Sequence, residues 1–429
     1  MSIKKISVFG LGKLGLPMAL MLSDNKYEVT GVDINPDLIT RLEKKVFLSN
    51  EPGVNGLLAK TWIKFTDDYS EAISNSDVSF IVVPTPSLKN GAFSLDYVLS
   101  TVNKIAGELK DKKDWHLIVI TSTIMPKSMI AIKSLLEKKT GKTIGKDIGL
   151  CYSPEFIALG SVIDNLSRPD FILIGQSDEK SGRVLEKIKL DLVKNLPLVK
   201  KTNHINAEIA KLALNSYITT KISFANLIAR VCEIIPQADS DTITSTIGLD
   251  KRINPRYLKG GLGYGGPCFP RDNLAFANLI KPLKIKTSLP ITIDGFNRQQ
   301  IFFIEKIVKK HITKKKSLGI LGLSYKPDTD VVDESQGIML ANLLAKKSYR
   351  VAVFDPAAMK NAIPLLDRKV AFGRSAQQIA DDSDVVIITT PWAQFSKLKF
   401  GKGKTVIDCW RVIKNRQNIK YIALGKHVD

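Results

Sequence analysis

The sequence predicts an α/β protein of two doubly wound units joined by a central helical segment with one long helix, and three observations carry that prediction. Near the start, a short apolar run leads into Gly10-Leu-Gly12-Lys-Leu-Gly15 and then a second apolar run, which reads as strand, tight turn and helix. Over residues 206–233 the apolar positions recur at three and four, with no proline before Pro236, the period of a helix. In the last third, Ser383-Asp-Val-Val-Ile-Ile-Thr-Thr-Pro391 echoes Ser76-Asp-Val-Ser-Phe-Ile-Val-Val-Pro84, so one supersecondary plan is used twice.

Composition bounds what such a chain can do. At 429 residues and 44% hydrophobic content it holds enough apolar material for two or three domains. Lysine and arginine outnumber aspartate and glutamate 63 to 42, a formal charge of +21, which fits either an anionic partner or a generally basic background. The lysines come in scattered pairs, such as Lys138-Lys139 and Lys309-Lys310, with one run of three at 314–316, the pattern of solvated helix faces. No nucleic-acid module is present and aromatics do not interleave with the basic pairs, so nucleic acid is not an expected partner. Cys151, Cys232, Cys268 and Cys409 form no CxxC pair and have no histidine at metal spacing, so neither a metal site nor a disulfide framework is expected. With no leader and no apolar run of membrane length, the expectation is a cytoplasmic, soluble protein without a membrane partner.

Taken in order, residues 4–9 are a buried strand and 16–22 the helix behind the glycine turn. The first glycine permits the turn, the second lets a pyrophosphate approach the backbone, and the third allows close packing, with phosphates at the positive helix end. A second strand, 27–32, ends in Asp33, eighteen residues after Gly15. A carboxylate there accepts ribose hydroxyls and repels a 2′-phosphate, which favours NAD over NADP; the competing reading is a turn residue before Asn35-Pro36. Strands at 78–83 and 117–120 end in hydroxyl residues, placing Thr85 and Thr123 either at the ligand or as caps of the next helices. A strand fragment at 148–150 precedes Ser153-Pro154-Glu155, where Glu155 is a candidate general base.

On the long helix, Lys211 and Asn215 are an i, i+4 pair on one face, either its wet side or a functional pair. Residues 260–272, GGLGYGGPCFPRD, read as neither helix nor strand. The amides of Gly263, Gly265 and Gly266 are positioned to wrap an anion, and Cys268, between Pro267 and Pro270 and beside Arg271 and Asp272, is a candidate nucleophile. Further on, a strand at 318–321, a helix at 335–346, a strand at 351–354 and Asp355 repeat the order of the first unit. Lys326-Pro327 stands where the glycines opening the helix would be, so this copy is expected to hold a mononucleotide and not a second NAD.

The stretches GLGKLGLP, VDIN, VPTP, TSTIMP, YSPEF, AKLALNS, GYGGPCFPRD and LGLSYKPDTDVVDES together resemble the UDP-glucose/GDP-mannose dehydrogenase family over nearly the whole chain. The resemblance implies two Rossmann-like domains joined by a helical dimerisation segment, with divisions at 1–202, 203–300 and 301–429. It also implies a homodimer and a four-electron oxidation of a nucleotide-sugar C6 alcohol with two NAD⁺. By resemblance, Gly10, Gly12, Leu14, Gly15, Asp33, Thr85 and Thr123 bind the cofactor. Cys268 is the nucleophile, Lys211 and Asn215 hold the developing oxyanion, and Asp272 with Lys211 positions water or protons. Thr123 and Glu155 lie near the reacting carbon, Glu155 as a base for hydrolysis. Arg252 matches an arginine offered to the neighbouring subunit's substrate, and Tyr257, Lys259, Gly265 and Lys326 match nucleotide contacts. Two departures bear on the substrate: Leu159 stands where many members have an acid, and Leu227 follows Asn226 where many have glutamate. UDP-glucose is the first expectation, with UDP-N-acetylhexosamines and GDP-mannose behind it. A two-electron β-hydroxyacid dehydrogenase is the more distant alternative, and it needs neither Cys268 nor the third domain.

Overall fold

A computed structural model describes residues 3–311 and 317–427; the lysine run at 314–316 lies outside the described residues. The chain divides into two compact units, Met1–Ala213 and Leu214–Asp429.

The first unit is built on eight strands: β1 (Lys5–Phe9), β2 (Glu28–Val32), β3 (Ile63–Thr66), β4 (Val78–Ile81), β5 (His116–Ile120), β6 (Ile148–Tyr152), β7 (Phe171–Gln176) and β8 (Leu198–Thr202). Their order is β3-β2-β1-β4-β5-β6-β7-β8, parallel throughout except between β6 and β7. Helices α1 (Gly15–Asp24), α2 (Pro36–Glu43), α3 (Val54–Lys60), α4 (Tyr69–Ser74), α5 (Asp96–Asp111), α6 (Ser128–Thr140), α7 (Val162–Ser167) and α8 (Glu179–Leu192) connect them. Every residue of β4, β5 and β6 is buried, which explains their lack of polar alternation: helices cover both faces. Alternation survives as a division between faces. Ile6 and Val8 pack with Leu20 and Leu185 on one side, while Phe9 packs with Val102 and Ile132 on the other. The strand order reverses between β1 and β4, where an open α/β sheet receives its ligand.

Helix α9 (His204–Ile234) follows, three residues longer than the predicted 206–233. The second unit contains α10 (Ser240–Gly248), α11 (Phe269–Ile280), α12 (Leu289–His311), α13 (Gln336–Lys346), α14 (Met359–Ala362) and α15 (Ala376–Asp382). Its sheet comprises β9 (Ser317–Leu321), β10 (Arg350–Phe354), β11 (Ala371–Phe372), β12 (Val385–Ile388), β13 (Thr405–Asp408) and β14 (Lys420–Ala423). The order β11-β10-β9-β12-β13-β14 is all parallel and matches that of the first six strands of the first unit, so the repeated plan is real.

The repeat extends to single hydrogen bonds. Gly10 N donates to Val32 O, as Gly322 N does to Phe354 O. A Cβ on Gly15 would lie 1.8 Å from Gly10 O, and one on Gly337 would lie 2.2 Å from Gly322 O. This corrects the sequence reading. The second unit keeps a helix-opening glycine at Gly337, but a longer loop separates it from Gly322, and Lys326-Pro327 lies within that loop.

A second correction concerns 260–272, where α11 begins at Phe269 and includes Arg271 and Asp272 in its first turn, with Cys268 as its N-cap residue. Pro270 falls within that turn, where its missing N–H is no loss. No helix among the described residues is long and apolar enough to cross a membrane.

Candidate active site

The first unit carries a dinucleotide turn that the surrounding packing dictates. Gly10 has φ +93 and would place a Cβ 2.7 Å from Val82 O, so only glycine fits. A Cβ on Gly12 would meet nothing within 4 Å; the space over the second glycine is open, as the approach of a pyrophosphate requires. Leu14 is the N-cap residue of α1, whose first turn carries no acid, and its half-buried side chain packs on the core. Asp33 accepts from Leu11 N through Oδ2 at 2.8 Å and from Asn35 N through Oδ1 at 3.0 Å, which aims its carboxylate from the end of β2 across the glycine turn. These features fit a bound NAD.

Thr85 is buried and donates to Thr123 O at 2.7 Å, tying the ends of β4 and β5 together. Neither threonine caps a helix, since the N-cap residues of α5 and α6 are Leu95 and Lys127. The α6 end is held instead by Glu208 of α9, which accepts from Lys127 N and Met129 N at 2.7 and 2.8 Å. Burial raises the Glu208 pKa, and the amides oppose that rise. Glu155 lies beyond β6, its carboxylate ion-paired with Lys189 of α8. Its backbone carbonyl accepts from Lys211 Nζ at 2.8 Å, and that ammonium sits 4.8 Å from the centre of the Phe156 ring. Lys211 is 6% exposed; it is not on the wet side of its helix.

In the second unit, Asn215 Nδ2 donates to Asp272 Oδ2 at 2.6 Å, both residues buried. Asp272 Oδ1 has no hydrogen-bond partner and lies 3.6 Å from Arg271 Nε. Asp272 N donates to Cys268 O at 2.8 Å, the first bond of α11. Cys268 is the exposed cysteine, while Cys151, Cys232 and Cys409 are buried, and burial pushes those three thiols up in pKa. A reachable sulfur thus sits at a helix N-terminus, where the free amides favour an anion.

One of the glycines before it, Gly266, serves a different end from the one the sequence suggests. Gly266 N donates to Asp333 O, so this amide is already used and does not wrap a ligand anion. A Cβ on Gly265 would come 2.5 Å from Glu334 O, and one on Gly266 would come 2.6 Å from the Tyr325 ring; neighbouring backbone and side chains pack too closely on these two positions for a side chain to fit. Two buried asparagines clamp the loop. Asn226 accepts from Gly261 N and donates to Leu262 O, and Asn297 does the same at Tyr264 N and Tyr264 O.

Arg252 is exposed and forks onto Asp250 through Nε and Nη2. Tyr257 holds a left-handed backbone at φ +61 and meets Phe269 edge-on. Lys259 is exposed and Lys326 half-buried. Asp355, the counterpart of Asp33, is saturated: Oδ2 accepts from Leu323 N, Ser324 N, Ser324 Oγ and Trp392 Nε1, and Oδ1 from Ala357 N and Ala358 N. It has no capacity left for a ribose, in keeping with one dinucleotide site.

Sequence reasoning missed Lys189, Glu208 and Asn297. Lys189 had a signal: a lysine inside the apolar stripe of Leu185, Ile188 and Leu192.

Three sequence models of the UDP-glucose/GDP-mannose dehydrogenase family match the chain: the NAD-binding domain over 4–192, the central domain over 205–299 and the UDP-binding domain over 319–415. The chain is 33% identical to the UDP-glucose 6-dehydrogenase of Rickettsia bellii, over 97% of this chain and 95% of that one. It is 32% identical to the GDP-mannose 6-dehydrogenase of Pseudomonas savastanoi pv. phaseolicola, over 94% and 95%. The solved structure of a UDP-glucose dehydrogenase from Pyrobaculum islandicum superposes with a TM-score of 0.92 at 29% identity, covering 99% of this chain and 98% of that one. With its glycine turn and Asp33 in the matched NAD-binding domain, and Cys268 and Asp272 in the matched central domain, this chain belongs to the UDP-glucose/GDP-mannose dehydrogenase family, whose cofactor is NAD.

Proposed function

We propose that the protein is an NAD-dependent nucleotide-sugar 6-dehydrogenase that oxidises a C6 alcohol to the carboxylate through a covalent adduct on Cys268, with UDP-glucose as its first substrate. The observation that carries this reading is the reachable Cys268 thiol one helical turn from the buried Asn215–Asp272 pair, with every other thiol buried. Gly10, Gly12 and Gly15 would hold NAD⁺, which would accept one hydride per molecule, so a second NAD⁺ would replace the first NADH before the second oxidation. Lys211 brings a buried cation with one hydrogen bond to Glu155 O, so donors remain for the substrate oxygen as the alcohol becomes an aldehyde. Cys268 sulfur then bonds to C6, giving a thiohemiacetal; loss of a second hydride from C6 makes a thioester; water adds at C6, the C–S bond breaks, and the thiolate is regenerated. Asp272, whose Oδ1 makes no hydrogen bond, positions water or protons with Lys211, Glu155 takes the proton of the attacking water, and Thr123 lies near the reacting carbon.

Tyr257, Lys259, Gly265 and Lys326 hold the nucleotide, and Arg252 reaches a neighbouring subunit's substrate. In this reading residues 1–202 hold the cofactor, 203–300 the thiol and the dimer seam, and 301–429 the nucleotide. A homodimer is supported by Tyr217, Phe224, Leu227, Val231 and Ile234, exposed apolar residues at successive spacings of seven, three, four and three residues, which lie along one face of a helix. UDP-N-acetylhexosamines and GDP-mannose are the competing substrates.

The test is product stoichiometry across a panel of UDP- and GDP-sugars. Two NADH per sugar oxidised, with no free aldehyde, is expected. One NADH per product would move the protein to the two-electron β-hydroxyacid class.

A further inference from the structure

We infer that Lys189 is a positioning residue for this oxidation, fixing Glu155 and through it Lys211; the inference rests on the reaction proposed above. Lys189 lies on the apolar face of α8, between Leu185 and Leu192, and is 6% exposed. A lysine in such a place is costly unless its charge is matched. Its match is Glu155 Oε1, on a side chain 14% exposed. The second oxygen, Oε2, has no hydrogen bond among the described residues, so Lys189 fixes one carboxylate oxygen and leaves the other to act.

The same residue also receives Lys211, whose Nζ donates to Glu155 O at 2.8 Å. Two lysines, from α8 and α9, thus grip Glu155 at its side chain and its backbone. The far end of the segment is pinned as well: Ala158 N donates to Asn165 Oδ1, and Gly160 N and Val162 N donate to the Glu51 carboxylate. A segment without regular secondary structure is held at every second or third residue. Among the described residues the Glu155 carboxylate is paired with Lys189 alone, so the placement of its side chain falls to Lys189. In this arrangement Lys189 touches no reacting atom; it decides where Glu155 Oε2 and Lys211 Nζ stand.

The test compares Lys189→Met, Lys189→Arg, Glu155→Gln and the double variant Lys189→Met/Glu155→Gln. Three readouts are taken: kcat and KM for the nucleotide sugar, thermal midpoint, and the rate of Lys211 acetylation in the free enzyme followed by mass spectrometry. For Lys189→Met we expect kcat to fall about thirtyfold with KM within about threefold, and Lys211 acetylation to change by about threefold or more. Lys189→Arg should stay within about threefold of wild type, and the double variant should be no slower than Glu155→Gln alone, because the two residues act as one unit. Where Lys189→Met does not fold, Lys189→Gln takes its place with the same outcomes. Unchanged Lys211 acetylation, or losses that multiply in the double variant, would overturn the inference, as would a lowered thermal midpoint with kcat intact. Acetylation needs no turnover, so a wild type that fails the two-NADH stoichiometry defeats the reaction proposed above while leaving the role of Lys189 decided by labelling.

Discussion

Cys268 separates chemistry from scaffolding most directly. It is exposed at the start of α11, so replacing it removes little packing. Serine keeps the shape, but a hydroxyl is a far weaker nucleophile near neutral pH and its ester hydrolyses less readily than a thioester. Cys268→Ser should lower kcat by about a thousandfold or more and leave NAD⁺ affinity and the thermal midpoint nearly unchanged. Steady-state assays give the rate, and mass spectrometry after incubation with substrate and NAD⁺ looks for a trapped ester. A variant with near wild-type kcat would make the cysteine a packing residue. Asp33 invites a similar test, because its carboxylate leans across the glycine turn onto Leu11 N and would meet a 2′-phosphate with like charge. Asp33→Ser should narrow the preference of kcat/KM for NAD⁺ over NADP⁺ by about tenfold or more, and an unchanged ratio would remove Asp33 from cofactor selection.

Among the elements, β5 carries a buried histidine that makes the first unit sensitive to acid. His116 is fully buried, with Nε2 at 2.8 Å from Ser79 Oγ and Nδ1 at 3.1 Å from Ser76 O. Burial, and after it the nearby Lys112 ammonium, lower its pKa from 6.5 to about 3. With the folded pKa below the unfolded one, the unfolded chain takes up the proton first. This histidine therefore costs nothing above about pH 6.5 and removes stability as the pH falls toward 3. Between pH 7 and pH 5 its share of the loss is about 2 kcal/mol. Urea unfolding at the two pH values should show that loss in the wild type and a flatter dependence in His116→Gln. His204, also lowered by burial, adds in the same direction and remains in the variant. Equal slopes for the two proteins would mean that His116 ionises freely in the folded state.

For the whole molecule, the open question is what covers the apolar stripe on α9. Tyr217 and Ile234 are 63% and 76% exposed, and such a stripe on a long helix would suit the homodimer proposed above. The expected mass in solution is twice the 47.4 kDa of one chain, measured by light scattering on a sizing column. Phe224→Glu with Leu227→Glu should shift it to the single-chain mass, by placing unpaired charge in the seam. If the doubly substituted protein keeps the wild-type mass, the stripe is not the seam.

The sequence by itself determined the features that lie close along the chain. A glycine turn between a strand and a helix, Asp33 at the next strand end, a thiol among glycines and prolines, and an echo of Ser76 to Pro84 at Ser383 to Pro391 all have local signatures, because turn geometry and strand burial act on neighbouring residues. What only the tertiary structure decided is which distant polar groups meet. Lys189 finds Glu155 across 34 residues, Asp272 finds Asn215 across 57, and Lys127 N finds Glu208 across 81. Gly337 takes the place of the third glycine only because β9, β10 and α13 pack as their counterparts do, and Gly266 gives up its amide because the 333–334 segment lies against it. The physical reason is common to these cases. Burial obliges a polar group to find a partner, but no period in the chain marks which partner the packing of helices on a sheet will bring within reach.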